Sequence, residues 1–243
     1  MMKAWLLVSV ILAASLAGAR AAPLTPDQRA EVLQIVRQAL RDDPSLLRDA
    51  LTSLQADDTA QQSADAAGAI AAQHAALVAD PADPVAGNPA GAVTVVEFYD
   101  PRCPYCRQML PVLAALLKAD KQVRLVLKDI PILGPASVLE SRALLAAQRQ
   151  GGYGPLQAAL MRSPTPPTLA SIRAEAEHEG LDGERLERDM ADPAIQARLD
   201  QNVQLATALH IEGTPALIVG NHLIPGAVEL AELQRAVAAA SRP

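Results

Sequence analysis

Aromatic side chains are nearly absent from this sequence. One Phe, three Tyr and one Trp make up 2% of 243 residues while 50% are apolar, so a core must be built from Leu, Val, Ile and Ala. Basic residues are also short. Lys and Arg number 21 against 27 Asp and Glu, and that sign argues against nucleic acid or an anionic membrane as a partner. The four histidines, His74, His178, His210 and His222, stand singly, with none of the paired spacing that a zinc site uses. No apolar run reaches the roughly 18 to 20 residues that span a bilayer. Only two cysteines are present, Cys103 and Cys106.

The longest apolar run lies at the N-terminus. Lys3 precedes Ala4 to Leu16, and small residues follow at Ala17, Gly18, Ala19, Ala21 and Ala22, the pattern of a cleaved secretory signal over residues 1–21. A retained anchor is the competing reading. Trp5 would leave with the signal, and losing Lys3 and Arg20 would leave 19 basic against 27 acidic residues. Export to the periplasm places both cysteines in an oxidising compartment, where disulfides persist. A bridge closing only two intervening residues removes little entropy from the unfolded chain, so the pair is better explained by reactivity than by stability.

Thr25-Pro26-Asp27-Gln28 reads as a helix start with a capping box. Val32, Leu33, Ile35, Val36, Ala39 and Leu40, then Leu46, Leu47, Ala50, Leu51 and Leu54, recur at helical spacing. Short helices cannot bury such stripes alone, so residues 22–56 are expected to be a helical oligomerisation segment. Residues 57–88, poor in large apolar residues and ending in Asp80-Pro81 to Asn88, read as a helical or flexible linker. In the expected domain, 89–243, a strand at Val93 to Tyr99 leads through the cysteine turn into a helix. Val123 to Ile130 is a second strand, about 134–209 is a helical insertion, and Gly220-Asn221 turns a hairpin before a last helix. The class is α/β.

Chemistry concentrates in Val93 to Met109, VTVVEFYDPRCPYCRQM. A cysteine at a helix N-terminus faces unpaired backbone N–H groups and the positive end of the helix dipole, which stabilise a thiolate. That makes Cys103 the exchanging sulfur and Cys106, one turn on, the resolving one. Pro104 stiffens the turn and Tyr105 offers a hydroxyl. Two thiolates could alternatively hold Cu(I), although no zinc set is completed. Glu97 interrupts an apolar strand. It is either an outward-facing position or a buried carboxylate that moves the proton of Cys106, with Lys128 on the neighbouring strand as its charge partner.

EFYDPRCPYC, PILGPASVLESRALLAA and GTPALIVGNHLIPGAVEL fall in that order between about Ala92 and Ala239. Together they resemble the DsbA-like branch of the thioredoxin superfamily, closest to its ScsC and BdbD type. The resemblance implies a thioredoxin fold with an inserted helical domain, preceded by an N-terminal helical segment that joins copies into a homo-oligomer. It implies that Pro215 is a cis-proline beside the active site and that Thr214 and Pro215 contact substrate, the backbone before the proline pairing with an extended peptide. The expected activity is thiol-disulfide exchange on unfolded or misoxidised exported proteins, as a disulfide isomerase or reductase, with an oxidase as the alternative. No cofactor is implied beyond a redox-active Cys103–Cys106 disulfide. A membrane redox partner would be DsbD- or ScsB-like, or DsbB-like for an oxidase. A copper-tolerance protein binding Cu(I) at Cys103 and Cys106 is the reading from another class.

Overall fold

The computed structural model describes residues 23–242, so the expected signal at 1–21 lies outside the described residues. The described chain runs α1 (Pro26–Asp42), α2 (Ser45–Ala72), α3 (His74–Val78), β1 (Val85–Gly87), β2 (Val93–Tyr99), α4 (Pro104–Ala119) and β3 (Val123–Asp129). Five helices follow: α5 (Pro135–Gln148), α6 (Tyr153–Arg162), α7 (Leu169–His178), α8 (Gly183–Met190) and α9 (Pro193–Ala208). The hairpin β4 (Ala216–Val219) and β5 (His222–Pro225) and the helix α10 (Leu230–Ala240) close the chain.

Two compact units result, divided after Asp57, within α2. In the first, Thr25 caps α1 through the reciprocal bonds with Gln28 that its sequence announces. No residue of α1 is buried, and Leu33, Ile35, Leu47, Leu51 and Leu54 each expose half or more of their surface. The stripe is present and uncovered.

The second unit is built on a five-stranded sheet in the order β1-β3-β2-β4-β5, with β2 parallel to β3 and antiparallel to β4. On one face, Val93, Val95 and Tyr99 of β2 pack with Met109, Leu113 and Leu116 of α4, with Leu233 and Val237 of α10, and with residues of the insertion. On the other, Val96 and Phe98 pack with Ile70, Leu77, Leu205 and Leu209. Because helices cover both faces, β2 is apolar at nearly every position rather than alternating. The hairpin turns through Gly220 at φ 59°, a left-handed conformation that glycine adopts without steric cost.

The structure draws the linker differently from the sequence reading. Residues from Asp58 onward belong to the second unit, Ile70 and Leu77 are core residues, and Val85–Gly87 is an edge strand paired with β3. Sparse apolar positions hid this docking. A single Ile and a single Leu, each nearly fully buried, anchor what composition alone reads as solvated. Among the described residues, no helix is long and apolar enough to cross a membrane.

Candidate active site

The central strand β2 ends at Tyr99, and the chain turns at once. Asp100 is fully buried; its Oδ1 accepts the Arg102 N–H at 2.7 Å and its Oδ2 the Leu133 N–H at 3.0 Å. Its carbonyl accepts the Cys103 N–H at 3.0 Å. Those bonds deliver Cys103 to the N-cap of α4, with Pro104 at the first helical position, where its missing N–H costs nothing. Both cysteines are buried free thiols, whereas Pro104 and Tyr105 are exposed at the mouth of the turn. The Cys103 thiol donates to the Thr214 carbonyl at 3.2 Å, and the bond from Thr214 to Pro215 is cis. Residues more than a hundred positions apart thus meet at one sulfur.

Beneath the cysteines the strand parity decides which charges meet. Glu97 shares a face with Val95 and Tyr99, and it is 2% exposed. The outward-facing alternative is therefore excluded. Burial, with the negative charge of Asp129 nearby, pushes its carboxyl up to about 8. Burial, then the charges of Glu97 and Cys103, pushes the Cys106 thiol well up, so this sulfur needs a base before it can react. Glu97 is the carboxylate that lies with it.

Lys128 is not the partner of Glu97. It pairs across the strands with Phe98, and its side chain leaves by the opposite face, where Nζ donates to Asp83 at 2.6 Å and to the Ala76 carbonyl at 2.8 Å. Arg198 of α9 binds Asp83 and Asp80 in turn. Lys128 fastens the segment between α3 and β1 to the sheet and cannot reach the cysteines. Asp129, one residue further, faces the cysteine side. Its carboxylate accepts the Tyr99 hydroxyl at 3.0 Å and the Tyr153 hydroxyl at 2.5 Å, and burial pushes it up to about 7.

A second polar layer surrounds the turn. Arg102 donates to Glu140 of α5 at 3.3 Å and to the carbonyls of Ser163 and Thr165. Burial pushes Glu140 up to about 7 against the pull of Arg102. On the other side of the cis bond lies an open cavity of about 690 Å³, lined by Thr214 and Pro215, by Leu209 and Glu212, and by Gln62 and Asp65 of α2.

Residues 94–238, well over half of the chain and including Glu97, Cys103, Cys106, Asp129, Tyr153, Thr214 and Pro215, match the family described as the DSBA-like thioredoxin domain. The chain belongs to that family. With it comes membership of the DsbA-like thiol-disulfide oxidoreductases. A thioredoxin-like oxidoreductase from Silicibacter pomeroyi DSS-3 is 44% identical, covers 68% of this chain and 96% of its own, and superposes with a TM-score of 0.66. ScsC of Proteus mirabilis, in a transitional conformation, is 29% identical with a TM-score of 0.66; it covers 90% of this chain and 97% of its own, so that likeness continues into the N-terminal helices. Among curated relatives, a Na(+)/H(+) antiporter of Salinispora tropica is 31% identical over 65% of this chain, and DsbA of Bordetella parapertussis 27% identical over 60%. The chain spans only 24% of that antiporter's length and 71% of the DsbA.

Within this DSBA-like domain the structure brings Cys103, Cys106, Glu97, Thr214 and Pro215 together and leaves Lys128 outside. The sequence reading missed Asp129, Tyr153, Arg102 and Glu140. Two signals pointed to the first pair: Asp129 has the strand parity of Glu97's face, and Tyr153 is one of only three tyrosines in the chain. Arg102 and Glu140 meet across 38 positions, and no local pattern marks them.

Proposed function

We propose that the protein is an exported thiol-disulfide oxidoreductase of the periplasm that exchanges disulfides with folding proteins through Cys103 and Cys106, favouring isomerisation or reduction. The observation that carries this reading is the Cys103 thiol at the N-cap of α4, bonded to the carbonyl before Pro215. A sulfur held there meets an incoming disulfide with backbone N–H groups ahead of it and a strand-like peptide edge beside it. The Cys103 thiolate attacks a substrate disulfide, whose S–S bond breaks so that one substrate sulfur leaves as a thiolate and the other is joined to Cys103. Cys106 then attacks the Cys103 sulfur, the bond from Cys103 to substrate breaks, the second substrate thiolate leaves with the electron pair, and Glu97 takes the proton that Cys106 sheds. Thr214 and Pro215 hold the substrate backbone.

Isomerisation gains from several sites around one substrate. The uncovered apolar stripe of α1 and the start of α2 supports copies joined through that segment. A membrane thiol donor would keep the pair reduced. The reduced protein should restore activity to scrambled ribonuclease, and its disulfide form should oxidise reduced ribonuclease only slowly. Fast oxidation without unscrambling would make it an oxidase. Tight stoichiometric Cu(I) uptake without disulfide turnover would overturn the enzyme reading altogether.

A further inference from the structure

A carboxylate that takes a proton from a buried thiol needs its own charge controlled. Among the described residues no basic side chain pairs with Glu97, and Lys128 points to the other face of the sheet. What faces Glu97 is a second acid. Asp129 sits two positions beyond Leu127, the cross-strand neighbour of Glu97, and on the same face. Side-chain and backbone groups converge on it from four elements. Tyr99 comes from β2 and Tyr153 from α6, their hydroxyl oxygens 2.5 Å apart and each bonded to a different carboxylate oxygen. The buried Ser141 hydroxyl of α5 lies near enough to favour the Asp129 anion but makes no hydrogen bond in the structure. The Asn202 side chain of α9 donates to the Asp129 carbonyl at 3.2 Å. Two further acids, Glu97 and Asp100, lie near it, and among the described residues no basic side chain bonds to the Asp129 carboxylate.

We propose that Asp129, clamped between Tyr99 and Tyr153, is a positioning residue that sets how readily Glu97 takes the Cys106 proton. The inference rests on the redox reading of the site given above. Two phenol donors pull against burial, so that Asp129, at about 7, gives up its proton before Glu97, at about 8, and is the anion of the pair where Glu97 titrates. That anion in turn makes Glu97 a stronger base, since two like charges in one buried site oppose each other's ionisation. The usual means of tuning a buried acid, an adjacent cation, would make Glu97 a weaker base. A second acid held by phenols does the reverse, which suits a thiol as reluctant as Cys106.

The resolving step isolates this effect. The Cys103 thiolate first attacks the aromatic disulfide DTNB, whose S–S bond breaks to leave a mixed disulfide on Cys103 and release one nitrothiobenzoate thiolate. The Cys106 proton then passes to Glu97, a bond forms between the Cys106 and Cys103 sulfurs, and the bond from Cys103 to the nitrothiobenzoate sulfur breaks. The leaving group departs as a coloured thiolate carrying the bonding electron pair. Stopped-flow absorbance of that second release, followed from pH 5 to 9 in the full chain, gives a rate that rises through an acid limb where Glu97 deprotonates.

Asp129→Asn should move that limb to lower pH by roughly two units, the size expected for removing one charge about 7 Å away, a diagonal cross-strand neighbour, at an effective dielectric near 20. Tyr153→Phe should move it the same way by less, because an Asp129 without its short donor is more often neutral. Glu97→Gln should abolish the limb, and adding Asp129→Asn to it should shift nothing further. A uniform slowing in Asp129→Asn and Tyr153→Phe with the limb unmoved would overturn the proposal, leaving the cluster as packing. If Asp129→Asn does not fold, Tyr153→Phe, which keeps the ring, decides alone. A wild-type protein that releases no second thiolate fails at the redox reading itself, which is a separate result.

Discussion

Replacing Glu97 by Gln should stabilise the protein, and by more as the pH rises. The carboxyl is 2% exposed and accepts no hydrogen bond from a described residue, so its burial favours the protonated form. Its value moves from 4.5 to about 8. Between those two values the native protein keeps a proton that the unfolded chain has released. Stability therefore falls with rising pH, by about 1.4 kcal/mol for each pH unit per such proton. The loss begins near pH 4.5, reaches roughly 3 kcal/mol at pH 7 and levels off above about 8. Asp129, moved from 3.8 to about 7, adds a second proton over most of the same window. Urea unfolding at pH 5, 6, 7 and 8 measures the slope directly. Glu97→Gln should remove about a third of the wild-type slope, the rest coming from Asp129 and from Glu140, which moves from 4.5 to about 7, and should raise the midpoint at pH 7 and 8 while changing little at pH 5. A variant that is less stable than wild type at pH 7, with the same slope, would mean that Glu97 is ionised and well solvated in the native state, and the account of its burial would be wrong.

Three further outcomes follow from the same structure. Asp83→Ala should cost on the order of 3 to 5 kcal/mol in urea unfolding, because it strands Lys128 in a buried site, whereas Lys128→Met should cost clearly less because Asp83 keeps Arg198 at 2.9 Å; equal losses would refute the ordering. Deleting residues 24–57 should yield a folded monomer by light scattering. Extending the deletion to Ala79 should cost several kcal/mol more, since it strips Ile70 and Leu77 from the core, and equal stability of the two truncations would refute that docking. Cys106→Ala should accumulate mixed disulfides at Cys103, detectable as slower-migrating species on non-reducing gels, and their absence would remove Cys103 from its role as the exchanging sulfur.

Much of this site was legible because its parts carry local signals. The capping box of α1, the Cys-Pro-Tyr-Cys turn opening α4 and the hairpin at Gly220 are each written within a few residues. Thr214 and Pro215 were legible only through the resemblance to a known family, since a Gly-Thr-Pro loop alone says nothing of a distant cysteine. The failures share one physical cause. Composition sees how many apolar residues a segment has but not how deeply each is buried, so Ile70 and Leu77 were lost in an Ala- and Gln-rich stretch. Likewise the sign of a charged residue on a neighbouring strand is plain from sequence, whereas strand parity is the quantity that decides whether it reaches Glu97. Lys128 and Asp129 differ by one position, and one position in a strand exchanges the two faces of the sheet.

That exchange of faces changes what the helical insertion is for. If Lys128 had been the partner of Glu97, the proton chemistry would have been complete within β2 and β3, and α5 to α9 could be a lid of any sequence. With Asp129 in that place, the chemistry depends on Tyr153, which belongs to α6, and on the packing that holds its hydroxyl 2.5 Å from the carboxylate. Arg102, beside the exchanging cysteine, is tied to Glu140 of α5 and to the loop carbonyls at Ser163 and Thr165. Two independent ties thus run from the insertion to the cysteine turn, one beneath it and one beside it. A rearrangement of α5 and α6 would therefore move the charge under Cys106 and the guanidinium beside Cys103 together, and a substitution far out on those helices can alter exchange without touching either sulfur.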